Sequence, residues 1–549
     1  MEHIDKYFQN ITPLFKQSIR KWFALIISLL LWFSLQAQNC APATAFAFLD
    51  VNAVKARINN GGDMWWDLDS HAEYFVPKSG NVSAMFAGGL WIGGVDAQGT
   101  LHMAAQTYRQ NGNDFFPGPL DASAATNNQT CSNFDRIWKV NKTTIDSFIA
   151  GLFTSPPPSI AEWPGRGNPN LSFSTNQNLA PFIDTDGDEL YNPSNGDYPA
   201  IPGDQALWYV FNDAGNIHSE SGGEKLGVEV QVLAYAYLGE GTCLNTTTFY
   251  HYRIENKSPN DYLAFYTGLW SDPDLGCYID DYFGCDTVNN IGIVYNKDSV
   301  DGPSCNFNYP GTPPVVAVQV LKGPTGNDST THLMDFFMLY TNDFSVYGNP
   351  EEADDYHNYL KSVYKNDTHL KNPLTNEFTD YAFPSDPTDI SGWSMCAQNT
   401  APTDLRMIVS SGPVAFEHKE VLTFDIAVIW DSSSVYPCPA YTNIIEASNC
   451  VKDYFDNDVV FTGEQQWVGE TSSKNVFPNP AAMGSQIQFN FSNADQFEIF
   501  DLTGKKLFAA NVKDKTTFNL KSGFLGKGMF VYRILFNDKH TESGKLVIE

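Results

Sequence analysis

The chain has 549 residues, with 33 Lys and Arg against 63 Asp and Glu, so its formal net charge is -30 at pH 7. The acidic residues are spread over the chain, which disfavours nucleic-acid binding because phosphate contacts require clustered Lys and Arg. An acidic surface suits an extracellular protein and the binding of cations, although it also serves solubility alone.

The chain starts with a predicted signal peptide, residues 1–37. Arg20 and Lys21 precede an apolar run from Trp22 to Leu35, and Ala37 supplies the small residue at the cut. This run of 14 residues is shorter than the roughly 20 that cross a bilayer, so its length disfavours a retained anchor. We expect no transmembrane segment in the mature chain.

Two β-rich regions, residues 38–180 and 181–465, are predicted to form the body, with the prolines at 156–158 and the loop 163–180 between them. Their apolar or alternating runs are short and are bounded by Gly, Pro, Asn and Asp. This pattern predicts an all-β fold, a β-sandwich with few short helices. The helical patterns cover residues 143–150, 353–364 and 441–454.

Aromatic residues make up 14% of the chain, and Trp65, Trp66 and Trp91 lie beside glycines. Indoles in such positions could be presented to a sugar. Packing in the core is the favoured interpretation for each of them.

The clearest local motif is the acidic segment that begins at Asp184. Alternate carboxylates with a glycine between them can converge on one hard cation, because calcium takes six to eight oxygens from a flexible loop. The segment resembles the calcium loops of thrombospondin type 3 and dockerin repeats. An EF-hand is incomplete, since Asn195 replaces the Glu at the twelfth loop position. The expected calcium ligands are the side chains of Asp184, Asp186 and Asp188, the carbonyl of Leu190, and Asn195 or Asp197. A solvated Asp-Gly turn is the alternative.

A second acidic cluster follows within fifteen residues, and its members repel one another unless a cation or hydrogen-bond donors offset their charge. Calcium, exposed carboxylates at loop ends, and a paired-carboxylate glycosidase site are the three interpretations. The predicted metal-ligating residues of this cluster are Asp272, Asp274, Asp280 and Asp281, with Asp286 nearby.

Motifs of nucleophilic and metal-dependent hydrolysis are missing: the sequence contains no Gly-x-Ser-x-Gly, no His-Glu-x-x-His and no phosphate-binding Gly-x-x-x-x-Gly-Lys. The scattered histidines are expected to be structural. They are His71, His102, His218, His251 and His418.

Nine cysteines fall between Cys40 and Cys450. Because the chain is predicted to leave the cytoplasm, disulfides are chemically permitted. The close pairs Cys277 with Cys285 and Cys438 with Cys450 are candidates for short loops, and the other pairings stay open.

Residues 475–549, after a polar linker at 466–474, form a separate segment in which apolar residues alternate between turns. Period two predicts a small half-buried antiparallel sandwich. Its marks are VFPNP at 476–480, FEIFDLTGK at 497–505, GMFVYRIL at 528–535 and GKLVI at 544–548.

The order of these pieces resembles the type A sorting domain of the Bacteroidetes type IX secretion system, an Ig-like sandwich. The resemblance implies a cargo that crosses the outer membrane and contacts the secretion machinery. It also implies a sortase-like peptidase that removes the domain during release or attachment to surface lipopolysaccharide.

Several body segments resemble a module of secreted Bacteroidetes proteins whose activity is not known. They are residues 61–67 (GGDMWWD), 86–94 (FAGGLWIGG), 106–120 (QTYRQNGNDFFPGPL), 270–276 (WSDPDLG), 280–286 (DDYFGCD) and 410–413 (SSGP). This resemblance agrees with the secretory location and leaves the activity open.

The sequence as a whole favours a cargo that passes through the periplasm to the outer-membrane surface or the medium. We expect a calcium-stabilised structural, adhesive or binding ectodomain whose partner is surface lipopolysaccharide or an extracellular glycan. The alternative hypothesis is a secreted hydrolase of polysaccharide or protein.

Overall fold

The computed structural model divides the chain into two compact units, Met1–Glu464 and Gln465–Glu549. In the first it describes residues 40–302, 305–326 and 329–459. In the second it describes 476–477, 481–490, 494–500, 505–513, 515, 517–521, 523, 525–536 and 541–548. The predicted signal peptide and the predicted linker at 466–474 lie outside the described residues.

The first unit is built mainly from β-strands. They are β1 (Phe46–Leu49), β2 (Lys55–Asn59), β3 (Asp63–Met64), β4 (Tyr74–Phe75), β5 (Ala87–Asp96), β6 (Leu101–Ala105), β7 (Phe116–Pro117), β8 (Trp138–Asn141), β9 (Phe182–Ile183), β10 (Tyr198–Pro199), β11 (Gln205–Asn212), β12 (Val228–Ala236), β13 (Thr247–Asn256), β14 (Tyr262–Asp272), β15 (Asp281–Asp286), β16 (Ile291–Asn296), β17 (Val315–Lys322), β18 (Phe336–Thr341), β19 (Leu405–Phe416) and β20 (Val421–Asp431).

Two large antiparallel sheets contain most of these strands. The first has the order β1-β2-β3-β5-β14-β19-β18, with β4 on β2 and β6 on β5. The second has the order β15-β16-β17-β20-β13-β12-β11-β7, with β8 on β11. Each sheet takes strands from both sides of residue 180, so the regions 38–180 and 181–465 are joined in one compact unit.

The core explains why these strands form. Strands β11, β12 and β16 are buried along their whole length, and strands covered on both faces have near-continuous apolar sequences. Both sheets contribute to one hydrophobic cluster. The predicted all-β, sandwich-like fold with few short helices is confirmed.

The tryptophans predicted to pack in the core do so. Trp65, Trp66 and Trp91 are fully buried. The Trp65 Nε1 donates to the Tyr250 hydroxyl at 3.0 Å, so its polar atom is satisfied despite burial.

Helices are few among the described residues: α1 (Asn128–Phe134), α2 (Lys142–Ile149), α3 (Pro158–Ala161), α4 (Ala353–Tyr359) and α5 (Thr442–Asp458). The predicted helices at 143–150, 353–364 and 441–454 correspond to α2, α4 and α5. In α5, Ile444, Val451 and Phe455 are buried on one face, which is the helical spacing that the sequence displays. Helix α1 was not predicted because it buries only Cys131 and Phe134 and is otherwise polar, and α3 has only 4 residues. No helix of the described residues is long and apolar enough to cross a membrane.

Four disulfides connect the first unit: Cys40–Cys131, Cys243–Cys450, Cys277–Cys305 and Cys396–Cys438. The expected pairs Cys277 with Cys285 and Cys438 with Cys450 are therefore wrong. Cys285 lies inside β15, where its thiol is buried against the carbonyl of Ala382 at 3.4 Å and cannot reach a loop. Burial also raises the pKa of that thiol.

The second unit consists of β21 (Val476–Phe477), β22 (Gln486–Asn490), β23 (Ala494–Phe500), β24 (Lys506–Asn511), β25 (Thr517–Lys521), β26 (Gly528–Phe536) and β27 (Thr541–Ile548). They form a three-stranded sheet, β21-β22-β25, and a four-stranded sheet, β24-β23-β26-β27. Ile487, Phe497 and Ile534 belong to its own apolar core. The half-buried β structure predicted for this segment is confirmed.

Candidate functional site

The loop between β9 and β10 gathers the first predicted carboxylates. One carboxylate oxygen each from Asp184, Asp186 and Asp188 lies within 4.8 Å of the others. Backbone amides fix the curl of the loop: Asp184 accepts from Gly187 at 2.7 Å and from Glu189 at 2.8 Å. Gly187 has a φ of +78°, a conformation that costs glycine little. The three carboxylates therefore converge, as predicted.

Asp197 closes this loop from the buried side. Its two oxygens accept from the amides of Thr185 and Asn192, both at 2.8 Å. Burial raises the pKa of Asp197, and the charges of Asp184 and Asp186 add to the effect. These two hydrogen bonds hold the ends of the loop together, and Asp197 is not one of the three carboxylates whose oxygens converge.

Leu190 and Asn195, the other residues with predicted ligand atoms, hydrogen-bond these carboxylates through their amide N–H groups. The Leu190 amide donates to Asp188 at 2.8 Å, and the Asn195 amide donates to Asp186 at 2.8 Å. Because a side-chain amide offers an oxygen when it turns over, Asn195 can also serve as a ligand. Oxygen donors alone suit a hard cation of the calcium type.

The second acidic cluster divides into two groups in space. Asp272 and Asp274 converge with Asp404, one oxygen from each within 4.8 Å of the others. Asp280 instead lies with Asp301 and Cys277. Because Cys277 is in a disulfide, that second group offers a metal two carboxylates and no thiolate.

Asp281 and Asp286 have backbone partners. Asp281 accepts from the Leu275 amide at 2.9 Å. Asp286 accepts from the amide and side chain of Asn289 at 2.7 and 2.8 Å, which caps the turn between β15 and β16. Asp404 and Asp301 were missed from the sequence because they lie far along the chain from the cluster. Only strand pairing brings Asp404 to Asp272.

Strand β19 pairs with β14, Ser271 opposite Met407, and so places Arg406 beside Asp272. The Asp272 Oδ2 accepts from the Tyr108 hydroxyl at 2.5 Å and from Arg406 at 3.2 Å. Arg406 also forms an ion pair with Asp404. Burial raises the pKa of Asp272 against the opposing charge of Arg406. Burial also raises the pKa of Asp274, and the neighbouring charge of Asp272 adds to it.

A groove of about 740 Å³ lies beside this network, and Asp274 lines it. Its rim carries Tyr278 and Phe307, which are 48% and 56% exposed. The disulfide Cys277–Cys305 joins the two segments that bear these rings. The sequence did not identify the groove, since its walls come from residues 70–86, 274–279 and 305–307.

The inner wall of the groove connects to the acidic network through aromatic contacts. Phe86 stacks on Trp66 with ring centroids 6.1 Å apart, and it meets the edge of Tyr108 at 6.0 Å. Tyr108 in turn donates to Asp272. Glu73, another lining residue, is paired with Arg57 at 2.9 Å, so Asp274 is the lining carboxylate without a facing ion pair among the described contacts.

The histidines differ in burial and in their partners. His102, His218 and His251 are buried and have fixed partners, including Asp425 for His251 at 2.7 Å. His418 contacts the carbonyl of Ser258. His71 lines the groove and hydrogen-bonds Asp67 at 2.9 Å.

Comparison with known proteins adds a family for the end of the chain. Residues 475–549 match the secretion system C-terminal sorting domain. No curated protein matches the chain. Among solved structures, CopC from Methylosinus trichosporium OB3b shares 21% identity over 13% of this chain and 79% of its own, with a TM-score of 0.11. A polysaccharide lyase shares 6% identity over 58% of this chain and 34% of its own, with a TM-score of 0.18. The likenesses to these two structures carry no argument about activity.

Proposed function

We propose that this chain, whose residues 475–549 are a type IX secretion sorting domain, acts outside the cell as a calcium-stabilised glycan-binding module. The sorting domain is the observation that carries the proposal, because it implies export to the cell surface or the medium. A body delivered there meets surface lipopolysaccharide and extracellular glycans.

The groove supports a glycan as the ligand. The C–H faces of sugar rings pack on aromatic rings, and Tyr278 and Phe307 offer such faces at the rim. His71, Asn81 and Asp274 line the same groove and can hydrogen-bond sugar hydroxyls. Its volume of about 740 Å³ lies within the range of pockets that enclose small ligands.

The Asp184 loop supports a structural role for calcium. Its three carboxylates converge at the surface, where their mutual repulsion weakens the loop in the absence of a cation. Calcium at a hundredfold excess over its dissociation constant adds about 2.7 kcal/mol of stability. Millimolar extracellular calcium therefore stabilises the loop even where the affinity is modest.

Binding of the purified protein to a panel of surface polysaccharides, measured by affinity electrophoresis, tests the glycan proposal. We expect retardation by at least one glycan, and a loss of tenfold or more in affinity in Phe307→Ala. Phe344→Ala is the matched control, since Phe344 is 81% exposed and lies outside the groove. No retardation by any glycan, or equal losses in both variants, would contradict the proposal.

Glycan hydrolysis is the second candidate function, favoured by the position of Asp274 in the groove beside Asp272. A carboxyl whose pKa burial has raised can act as a general acid. In that case the protein releases reducing ends from the bound glycan, and Asp274→Asn stops the release while binding continues. If no reducing ends are released, hydrolysis is rejected and only the glycan-binding proposal stands.

A further inference from the structure

We propose that Asp272, Asp274 and Asp404 hold a calcium ion at the inner side of the groove, in a second cation site separate from the Asp184 loop. Asp272 ends β14, Asp274 follows it by two residues, and Asp404 directly precedes β19. The pairing of β14 with β19 brings the three together. The site does not depend on the glycan-binding proposal, and it is an alternative to the general-acid role of Asp274, because a metal-bound carboxylate is ionised and cannot donate a proton.

The spacing of the carboxylates fits one ion. An oxygen from each of the three lies within 4.8 Å of the others. Calcium–oxygen distances of about 2.3–2.6 Å allow two ligand atoms on one ion to be up to roughly 5 Å apart. A single calcium can therefore contact all three carboxylates without a change in the backbone.

Two buried carboxylate oxygens at this place have no hydrogen-bond partner among the described residues. The first is Oδ1 of Asp272, a residue only 2% exposed. The second belongs to Asp281, which is 1% exposed and is not one of the three converging residues. Its other oxygen accepts from Leu275, the neighbour of Asp274, so the carboxylate lies against the cluster. An unpartnered buried carboxylate oxygen is costly, and a cation satisfies it.

The charges at this place do not balance within the described residues. The charges of Asp272, Asp281 and Asp404 all act on Asp274, and Arg406 is the cation that acts on Asp272 and Asp274. The guanidinium already donates to Asp272, Asp404 and the Tyr108 hydroxyl. One further divalent cation would offset most of the remaining negative charge.

The donors identify the class of ion. All of them are carboxylate oxygens, without a thiolate or imidazole, which disfavours zinc. Asp274 is half-buried and lines the groove, so water can reach the ion from that side and complete its shell. A shell of several carboxylates and water suits calcium, whose coordination is flexible.

Bound calcium per chain, measured on the purified protein after equilibrium dialysis, tests the site. We expect Asp274→Asn to bind one calcium fewer than the wild type. Asp286→Asn is the matched control, because Asp286 belongs to the same stretch of sequence but caps a turn elsewhere. Asp186→Asn removes only the ion of the Asp184 loop, so failure of one site is distinguished from failure of the other.

Thermal unfolding in chelator and in calcium tests the site even if Asp274→Asn changes the stability of the protein. In excess chelator, Asp274→Asn should melt at or above the wild-type temperature, since it has one fewer repulsive carboxylate. In millimolar calcium the wild type should gain several degrees more than Asp274→Asn. Equal numbers of bound calcium ions in the wild type and Asp274→Asn would overturn the proposal. Equal increases in wild-type melting temperature from magnesium and from calcium would also overturn it.

Discussion

Glu220 is a buried carboxyl that the proposed binding sites do not use. It is 6% exposed. Its Oε1 accepts from the Thr107 hydroxyl and from Tyr356 at 3.3 Å, while its Oε2 has no partner among the described residues. Burial raises the pKa of Glu220 to about 7, the Thr107 hydrogen bond opposes the rise, and the charge of Asp114 adds to it.

The raised pKa predicts a pH dependence of stability at this residue. The folded state holds the proton more tightly than the unfolded state, so the contribution of Glu220 is complete below about pH 4.5 and is lost as the pH rises through about 7. Replacement by Gln removes this loss. Relative to the wild type, Glu220→Gln should therefore gain about 3 kcal/mol in free energy of unfolding between pH 4 and pH 8.

Urea unfolding at the two pH values measures the effect. Glu224→Gln is the control, because Glu224 is exposed and four residues away. A difference between wild type and Glu220→Gln that stays constant with pH would contradict the prediction.

The sequence indicated which carboxylates converge where they are close along the chain, and their role as metal ligands stays a prediction. Asp184, Asp186 and Asp188 converge because their spacing and Gly187 determine a local turn. Asp404, Tyr278 and Phe307 could not be assigned, since strand pairing and a disulfide bring them to their places. Asp280 and Asp281 were predicted ligands of one cluster, yet Asp280 lies with Asp301 and Asp281 accepts from the Leu275 amide, because β15 begins at Asp281 and Asp280 belongs to the preceding loop.

At the scale of elements, the loop from Asp184 to Asp197 should respond to calcium as one unit. In excess chelator, Asp186→Asn should equal or exceed the wild type in melting temperature, because one of three converging charges is gone. In millimolar calcium, the melting temperature of Asp186→Asn should rise by a few degrees less than that of the wild type.

Differential scanning calorimetry in calcium and in chelator checks this. Glu189→Gln is the matched control, since Glu189 lies in the same loop but outside the converging group and faces Arg166 at 3.7 Å. If calcium raised the melting temperature of all three proteins equally, the loop would not be a calcium site.

The disulfide Cys277–Cys305 is a second element with a testable role, because it joins the two rim segments of the groove. Its cysteines are 28 residues apart, which corresponds to a loss of about 3.5 kcal/mol when both are changed to Ala. We expect the same double change to weaken glycan binding, since the rings of Tyr278 and Phe307 are then no longer held together.

Removal of Cys396–Cys438 is the control. Its cysteines are 42 residues apart, so the stability loss should be similar, but neither residue lines the groove. Urea unfolding measures the loss of stability in each double variant, and affinity electrophoresis measures its loss of glycan binding. A similar loss of binding in both double variants would indicate a general effect of destabilisation.

Strands and helices with a regular spacing of apolar residues were predictable from the sequence, whereas the elements with which they pair were not. Apolar or alternating runs indicated strands, and the apolar face of α5 indicated that helix. The disulfides were mispredicted because nearness in sequence does not determine which cysteines meet in the folded chain. Cys243 and Cys450, for example, are 207 residues apart and are bonded.

At the scale of the whole molecule, the sorting domain was recognisable because its order of motifs is local to residues 475–549. The body was predicted as two consecutive regions, but β5 pairs with β14 and β8 with β11 across residue 180. Such long-range pairing depends on how apolar faces match in the folded core, which the periodicity of a single strand does not specify.

The central claim is that the body works outside the cell and is delivered there by its last domain. Protease accessibility of the protein on intact producing cells, together with its amount in the medium, tests this most directly. The full chain should be cleaved by added protease or recovered in the medium, while a chain truncated after Lys474 should stay inside the cell and protected. Equal exposure of the two proteins outside the cell would contradict the account.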